Sequence, residues 1–364
     1  MGTIELARGA AERGATSQLA ELWQSALPTP IEIRRGRRRL HAKATVTLLG
    51  AALAYWLLVV ADTSWWVRLL AAAVLILTLI TTATGIMHDA NHGSFSRFRW
   101  LNRLAACSAD ALGASSWLWR FKHNQLHHGN TNVEGIDSDL AQEPFARLAP
   151  GQTWRRWHRW QHVYLWLLYG FFPLKNLLFG DLRNLTTNNV GGQQLSRRPS
   201  AAITARMILG KVVHLSWAVV VPLLLNPWQH VVAFYLVSSW LVGLALAIIF
   251  QLAHCVDGAT FSTSTDWKRN EGFLEHQMRT TVDIASPMPV VGHLFRWLAG
   301  GLDHQVEHHM APRLPHTVYP VVARRFHLLC SEAGIAVRSH ITVWAALRSH
   351  TRWLVAMGQP PIAA

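Results

Sequence analysis

The chain has 364 residues, 51% of them hydrophobic and only 15% charged, with 18 Trp and 20 His. Long apolar runs at so low a charge argue against a soluble globule and for a membrane protein. The net charge of +14 does not signal nucleic acid, because the Lys and Arg residues flank apolar runs and suit anionic lipid headgroups.

Taken in chain order, the first 28 residues are Ala/Gly/Glu-rich and lack the apolar core of a signal peptide. They are expected to be disordered or to form a surface-lying helix. A densely basic stretch, IEIRRGRRRLHAK (31–43), closes an N-terminal cytoplasmic segment over 1–43. Apolar runs predict spans at about 45–61, 67–87, 209–225 and 231–253. The short turns DTSWW (62–66) and NPWQ (226–229) carry no Lys or Arg, so the spans pair as two hairpins. The basic N-terminal flank then puts everything between and after the hairpins on the cytoplasmic side. Pieces around 104–119 and 163–180 are broken by charge, Gly and Pro, and read as interfacial or re-entrant. The expected fold is therefore all-α and integral to the membrane: four transmembrane helices as two hairpins, with a cytoplasmic helical cap. The membrane domain is placed at 44–330 and a cytoplasmic tail at 331–364. Cys107, Cys255 and Cys330 are isolated, which implies neither a disulfide framework nor a zinc–thiolate site.

The histidines are not scattered. HDANH puts His88 and His92 four residues apart where the second span ends. HNQLHH gives His123, His127 and His128, and His254 ends the fourth span. QVEHH gives Gln305, His308 and His309, with His304 just before it. Residues three and four apart share one face of a helix, so each cluster can present several ligands together. The predicted topology brings every cluster to one side of the membrane. Thiolate is absent, and about eight imidazoles with a possible Gln suffice for two metals. A two-metal site of neutral ligands beside an apolar chamber fits oxidation of an unactivated C–H bond, for which iron is the natural metal. A haem carrier or metal transporter would place its His within the spans at matched depth, where only His214 lies.

HDANH, HNQLHH and QVEHH, in this order around two hairpins, resemble the three histidine boxes of the integral-membrane fatty acid desaturases. The flanks WRFKHNQLHHGNTNVEGIDSDL (119–140), HRWQHVYLWLLYG (158–170) and GGLDHQVEHHMAPRLPH (300–316) agree, and the likeness covers roughly 80–320. It implies O2-dependent insertion of a double bond into a fatty acyl chain at a non-haem di-iron centre. The ligands it implies are His88, His92, His123, His127, His128, His254, His308 and His309, with Gln305 as in front-end, acyl-lipid members. His304 is the competing assignment, because its spacing to His308 and His309 copies that of His123 to His127 and His128. Asp89, Asp137, Asp139 and Glu307 are candidates to hold the ligands from behind. Trp, Phe and Leu around 95–121 and 160–180 are candidate walls of an acyl channel. The acyl substrate is expected on CoA, a carrier protein or a lipid. Electrons are expected from a ferredoxin, a rubredoxin or a cytochrome b5 with its reductase, since the sequence contains no HPGG-type or CxxC redox segment. Membrane lipids and no nucleic acid complete the expected partners, in a bacterial-type plasma membrane with the site facing the cytoplasm. The alternative on the same scaffold is a hydroxylase, epoxygenase or acetylenase acting on a lipid-like molecule.

Overall fold

The computed structural model describes residues 18–195, 198–263, 272–285 and 289–361. The expectation for the extreme N-terminus, residues 1–17, lies outside them. Among the described residues, four helices are long and apolar enough to cross a membrane: α1 (Pro30–Val60), α2 (Trp65–His92), α7 (Ala201–Leu225) and α8 (Trp228–His254). In α7 and α8 only 17% of the most apolar window is buried within the protein. Their remaining surface, including Leu209, Leu224 and Leu236, is left for lipid.

These helices outrun their apolar windows. The 28 residues of α2 span about 42 Å at 1.5 Å per residue, against a hydrocarbon core of about 30 Å. The excess carries His88 and His92 past the hydrophobic slab. α1 starts well before residue 45 because Thr29 and Glu32 form a capping box and Pro30 opens the first turn. The arginines that follow are good helix formers. Both hairpin turns meet at the opposite end, where Asn226 accepts from Arg68 (3.2 Å) and donates to the Val59 carbonyl (2.9 Å).

Between the hairpins, α3 (Arg99–Ala111) packs against α2 and α7 and leaves Trp100 and Leu104 exposed. A short helix, α4 (Ser116–Arg120), widens at once into a π-turn at Phe121–His127. The apolar piece around 163–180 is a bent pair, α5 (Arg156–Tyr169) and α6 (Phe172–Thr186), broken by 75°. Gly170 and Gly243 let the bend press on α8. A Cβ on Gly170 would collide with the Trp240 indole, and one on Gly243 would meet the Gly170 carbonyl.

The cap is assembled from the C-terminal third: α9 (Phe273–Thr280), α10 (Pro289–Ala299), α11 (Gln305–Met310), α12 (Tyr319–Glu332) and α13 (Val343–Gly358). Two short parallel strands, β1 (Asp283–Ile284) and β2 (Ser339–His340), tie its halves. Residues 18–26 form a helix whose Leu19, Trp23 and Ala26 join Val322 and Phe326 of α12 in one core. α13 packs on α5 and α8, and its His350 bonds the Cys255 carbonyl (2.7 Å) directly after His254.

Candidate metal centre

The eight histidines arrive from four places. His88 and His92 lie on the last turns of α2, just after a π-turn at Thr82–Met87. His123 and His127 lie in the π-turn that follows α4, with His128 next to it. His254 ends α8, and His308 and His309 lie on α11. All eight are buried, none more than 8% exposed. π-turns are uncommon and recur at functional sites. Here the i→i+5 bond from His128 N to His123 O (2.9 Å) turns both rings inward.

Their nitrogens form two groups that meet. His88, His92, His123 and His308 each place a ring nitrogen within 4.8 Å of the others, and so do His127, His254 and His309. His128 joins His308 and His309 in a third such set. The contacts cannot all be hydrogen bonds. His88 Nε2 is 3.2 Å from His123 Nε2, which is 3.1 Å from His128 Nε2, itself 3.1 Å from His308 Nε2. Each nitrogen offers one proton or one lone pair, so at most two of these three contacts are satisfied. The Nε2 atoms of His92 and His309 have no partner among the described residues. Converging lone pairs without protons to share are what a pair of metal ions would resolve, and the donor set fits.

The outward nitrogens are held. His127 Nδ1 donates to both Asp137 oxygens (3.1 and 3.0 Å) and lies 3.6 Å from Asp139. The Asp137 carboxylate also accepts from the backbone of Asn132 and Asp139 (both 2.9 Å). His309 Nδ1 faces Gln277 Oε1 (2.9 Å) and the Thr131 hydroxyl (3.1 Å). His308 Nδ1 lies 3.3 Å from the Tyr319 hydroxyl, and His254 Nδ1 is 3.3 Å from the Thr280 carbonyl. Such partners fix the tautomer and leave the inward Nε2 free to ligate. Burial drives His123, His128, His308 and His309 well below the usual imidazole value, which keeps them neutral. Burial opposes a charge on His127 too, but Asp137 and Asp139 more than offset it and raise that ring to about 9. The same carboxylates favour any cation there, proton or metal.

The other named residues are placed as follows. Gln305 is buried close to the His254 side chain, and its Oε1 has no hydrogen-bond partner among the described residues. His304 stands apart, on a separate pocket beside Asp303 (3.7 Å). Asp89 lies 3.9 Å from His88 Nδ1 and accepts from both the ring and the backbone of His316 (3.0 and 3.1 Å). Glu307 faces His327 and Asp283 instead of the histidine cluster. Gln277 and Tyr319 carry no signal of their own in the sequence, whereas Thr131 and His316 lie in the stretches that flank the histidine clusters.

An apolar cavity of about 360 Å³ runs between the four spans, from Arg68 and Asn226 at the hairpin turns to Met87 and Trp119. Leu112, Trp119, Phe172 and Leu177 line it. The Trp119 ring lies 4.3 Å from that of His123 and 5.5 Å from that of His88, so the cavity ends against the histidine cluster.

The fatty acid desaturase family model matches residues 63–340. The sn-1 linoleoyl-lipid 6-desaturase of Synechocystis sp. is 30% identical over 330 residues, 90% of either chain. Its counterpart from Arthrospira platensis is 29% identical over 324 residues, 88% of this chain and 86% of that one. The acyl-lipid (8-3)-desaturase of Physcomitrium patens is 32% identical over 277 residues, 75% of this chain but only 57% of its own length. With the three histidine clusters gathered at the ends of membrane-spanning helices, these matches show that the chain belongs to the fatty acid desaturase family, as an integral-membrane oxidoreductase with a histidine-rich two-metal site.

Proposed function

We propose that the chain inserts a double bond into the acyl chain of a membrane lipid at a di-iron centre on the cytoplasmic side. The observation that carries this reading is the pair of converging imidazole groups at the inner end of an apolar cavity. One iron would be held by His88, His92, His123 and His308, the other by His127, His254 and His309. His128 lies where the two groups meet. Gln305 completes the second group, because it is buried beside His254 while His304 points to another pocket.

Two reduced irons held there would supply O2 activation and the oxidising power to remove hydrogen from an unactivated methylene. The chain's own residues do the rest. Asp137, Gln277 and Tyr319 hold the ring tautomers that keep the inward lone pairs free. Met87 and Trp119 line the cavity where it meets the histidine cluster, so an acyl chain lying in it brings one methylene pair to the centre with water excluded. Relatives named for 6-desaturation of a linoleoyl lipid favour a lipid-linked substrate and a bond placed by counting from the carboxyl end. Electrons come from a separate acidic carrier, ferredoxin, rubredoxin or cytochrome b5, docking on the basic surface around Arg34–Arg39.

Expression in a host without desaturases, with fatty acid methyl ester profiling and iron counting, tests the reading. A new unsaturated acid and two irons per chain are expected. An unchanged profile with iron-free protein would overturn it, and a product that keeps an oxygen atom would replace desaturation with hydroxylation.

A further inference from the structure

On a different face of the box helix α11 lies another convergence of charged groups, one that the histidine centre does not use. Glu307 sits in the middle of QVEHH, yet its Oε1 lies 3.2 Å from His327 Nε2 on α12. Asp283 Oδ2 on β1 is 3.1 Å from the same nitrogen. Glu307 is fully buried and Asp283 is 2% exposed. One donor atom from each of the three residues lies within 4.8 Å of the others.

These separations are those of hydrogen bonds, but the alignments are not. Both Glu307 oxygens, Asp283 Oδ2 and His327 Nε2 lack a hydrogen-bond partner among the described residues. Asp283 Oδ1, by contrast, accepts the Val306 N–H (2.9 Å), which aims Oδ2 at the shared space. Two carboxylates buried together with free oxygens are costly, and one imidazole offers a single Nε2 proton, which can serve only one of them. A cation between the three side chains does. Two carboxylate oxygens with one imidazole nitrogen suit a divalent transition ion and balance its charge. A pocket of about 250 Å³, bordered by Arg296, His304, Arg324 and Ser339, opens the spot to solvent and leaves room for water ligands. Neither arginine replaces the cation: Arg296 is paired to Asp303 (3.2 Å) and Arg324 is exposed.

We propose that Asp283, Glu307 and His327 form a further divalent-cation site, distinct from the histidine cluster. Its ion would pin α11, β1 and α12 together and so brace the helix that carries Gln305, His308 and His309.

Full-length protein in nanodiscs is stripped with a chelator, dialysed against Zn2+ under excess Mg2+, and its bound zinc counted by mass spectrometry. His327→Gln and Asp283→Asn are compared with wild type and with His92→Ala, which perturbs only the histidine centre. Each triad variant is expected to hold one equivalent less than wild type, and the losses in a His92→Ala/His327→Gln double variant are expected to add. Equal zinc in wild type and in either folded triad variant, checked by near-UV circular dichroism, overturns the site and leaves an ion-paired cluster. Because the readout is a difference, it stands whether or not the histidine centre proves to hold iron.

Discussion

Replacing Asp137 by Asn tests how the histidine cage is held without touching one of its imidazoles. The carboxylate takes one backbone N–H on each oxygen, from Asp139 on Oδ1 and Asn132 on Oδ2, both at 2.9 Å. It also takes His127 Nδ1 on both, at 3.1 and 3.0 Å. Whichever oxygen becomes an NH2 group, it faces a backbone donor, so one buried N–H loses its acceptor at a cost of about 1–3 kcal/mol. His127 also loses the charge that holds its Nδ1 proton, and removal of such a partner lowers metal affinity about 10–100-fold. Iron titration of the stripped protein should show that weakening, and double-bond formation at limiting iron should fall in step. Asp139→Asn is the matched control. Its oxygen is 3.6 Å from His127 Nδ1 and its side chain 44% exposed, so it contributes charge but no hydrogen bond and its loss should cost clearly less than that of Asp137. Wild-type iron affinity in Asp137→Asn, or a larger loss in Asp139→Asn, would refute the claim that Asp137 orients His127.

Gln305→Ala should abolish desaturation and lower iron content, whereas His304→Ala should leave both near wild type; the reverse pattern would move the ligand one residue upstream. Val242→Trp, which adds bulk to the cavity wall, should cut turnover of long acyl chains at least tenfold while iron content stays constant. Gly243→Leu should drive a side chain into the Gly170 carbonyl and Pro173 and destabilise the fold by about 1–3 kcal/mol or more, read as a lower melting temperature in detergent. His350→Ala strands the Cys255 carbonyl and should cost about 1–3 kcal/mol, seen as lower thermal stability and faster iron loss.

Much of the scaffold was legible because membranes impose a simple rule: apolar runs of sufficient length must be helices that bury their own backbone bonds. The ends of those helices were not. Hydropathy marks only the part inside the slab, so it stops α2 at Met87 although the helix continues to His92. It starts the first span near residue 45, although the arginine-rich turns from Pro30 are helical as well. The histidine clusters were readable from spacing, since four-residue intervals repeat a helix face. HNQLHH uses a wider turn than the α-helix assumed for it, yet His123, His127 and His128 still converge. The outward partners were only half readable. Asp137 lies near its histidine in sequence, but Gln277 and Tyr319 reach the cage only through tertiary packing, which one sequence does not encode locally. The same limit hid α13, whose mixed pattern gave no hint that Leu354 and His350 are fully buried.

The packing of α13 also sets an order of events. Every histidine of the cage lies between residues 88 and 309, whereas the helix that bonds the carbonyl next to His254 is Val343–Gly358. Arg147, in the loop between the hairpins, is likewise fastened to the Met357 and Gln359 carbonyls. On a ribosome that makes the chain from its N-terminus, the spans and all eight imidazoles are made before the clasp that steadies them. The cage is therefore steadied by a segment made after all of its histidines, and it is complete only once Val343–Gly358 has folded back onto the middle of the chain.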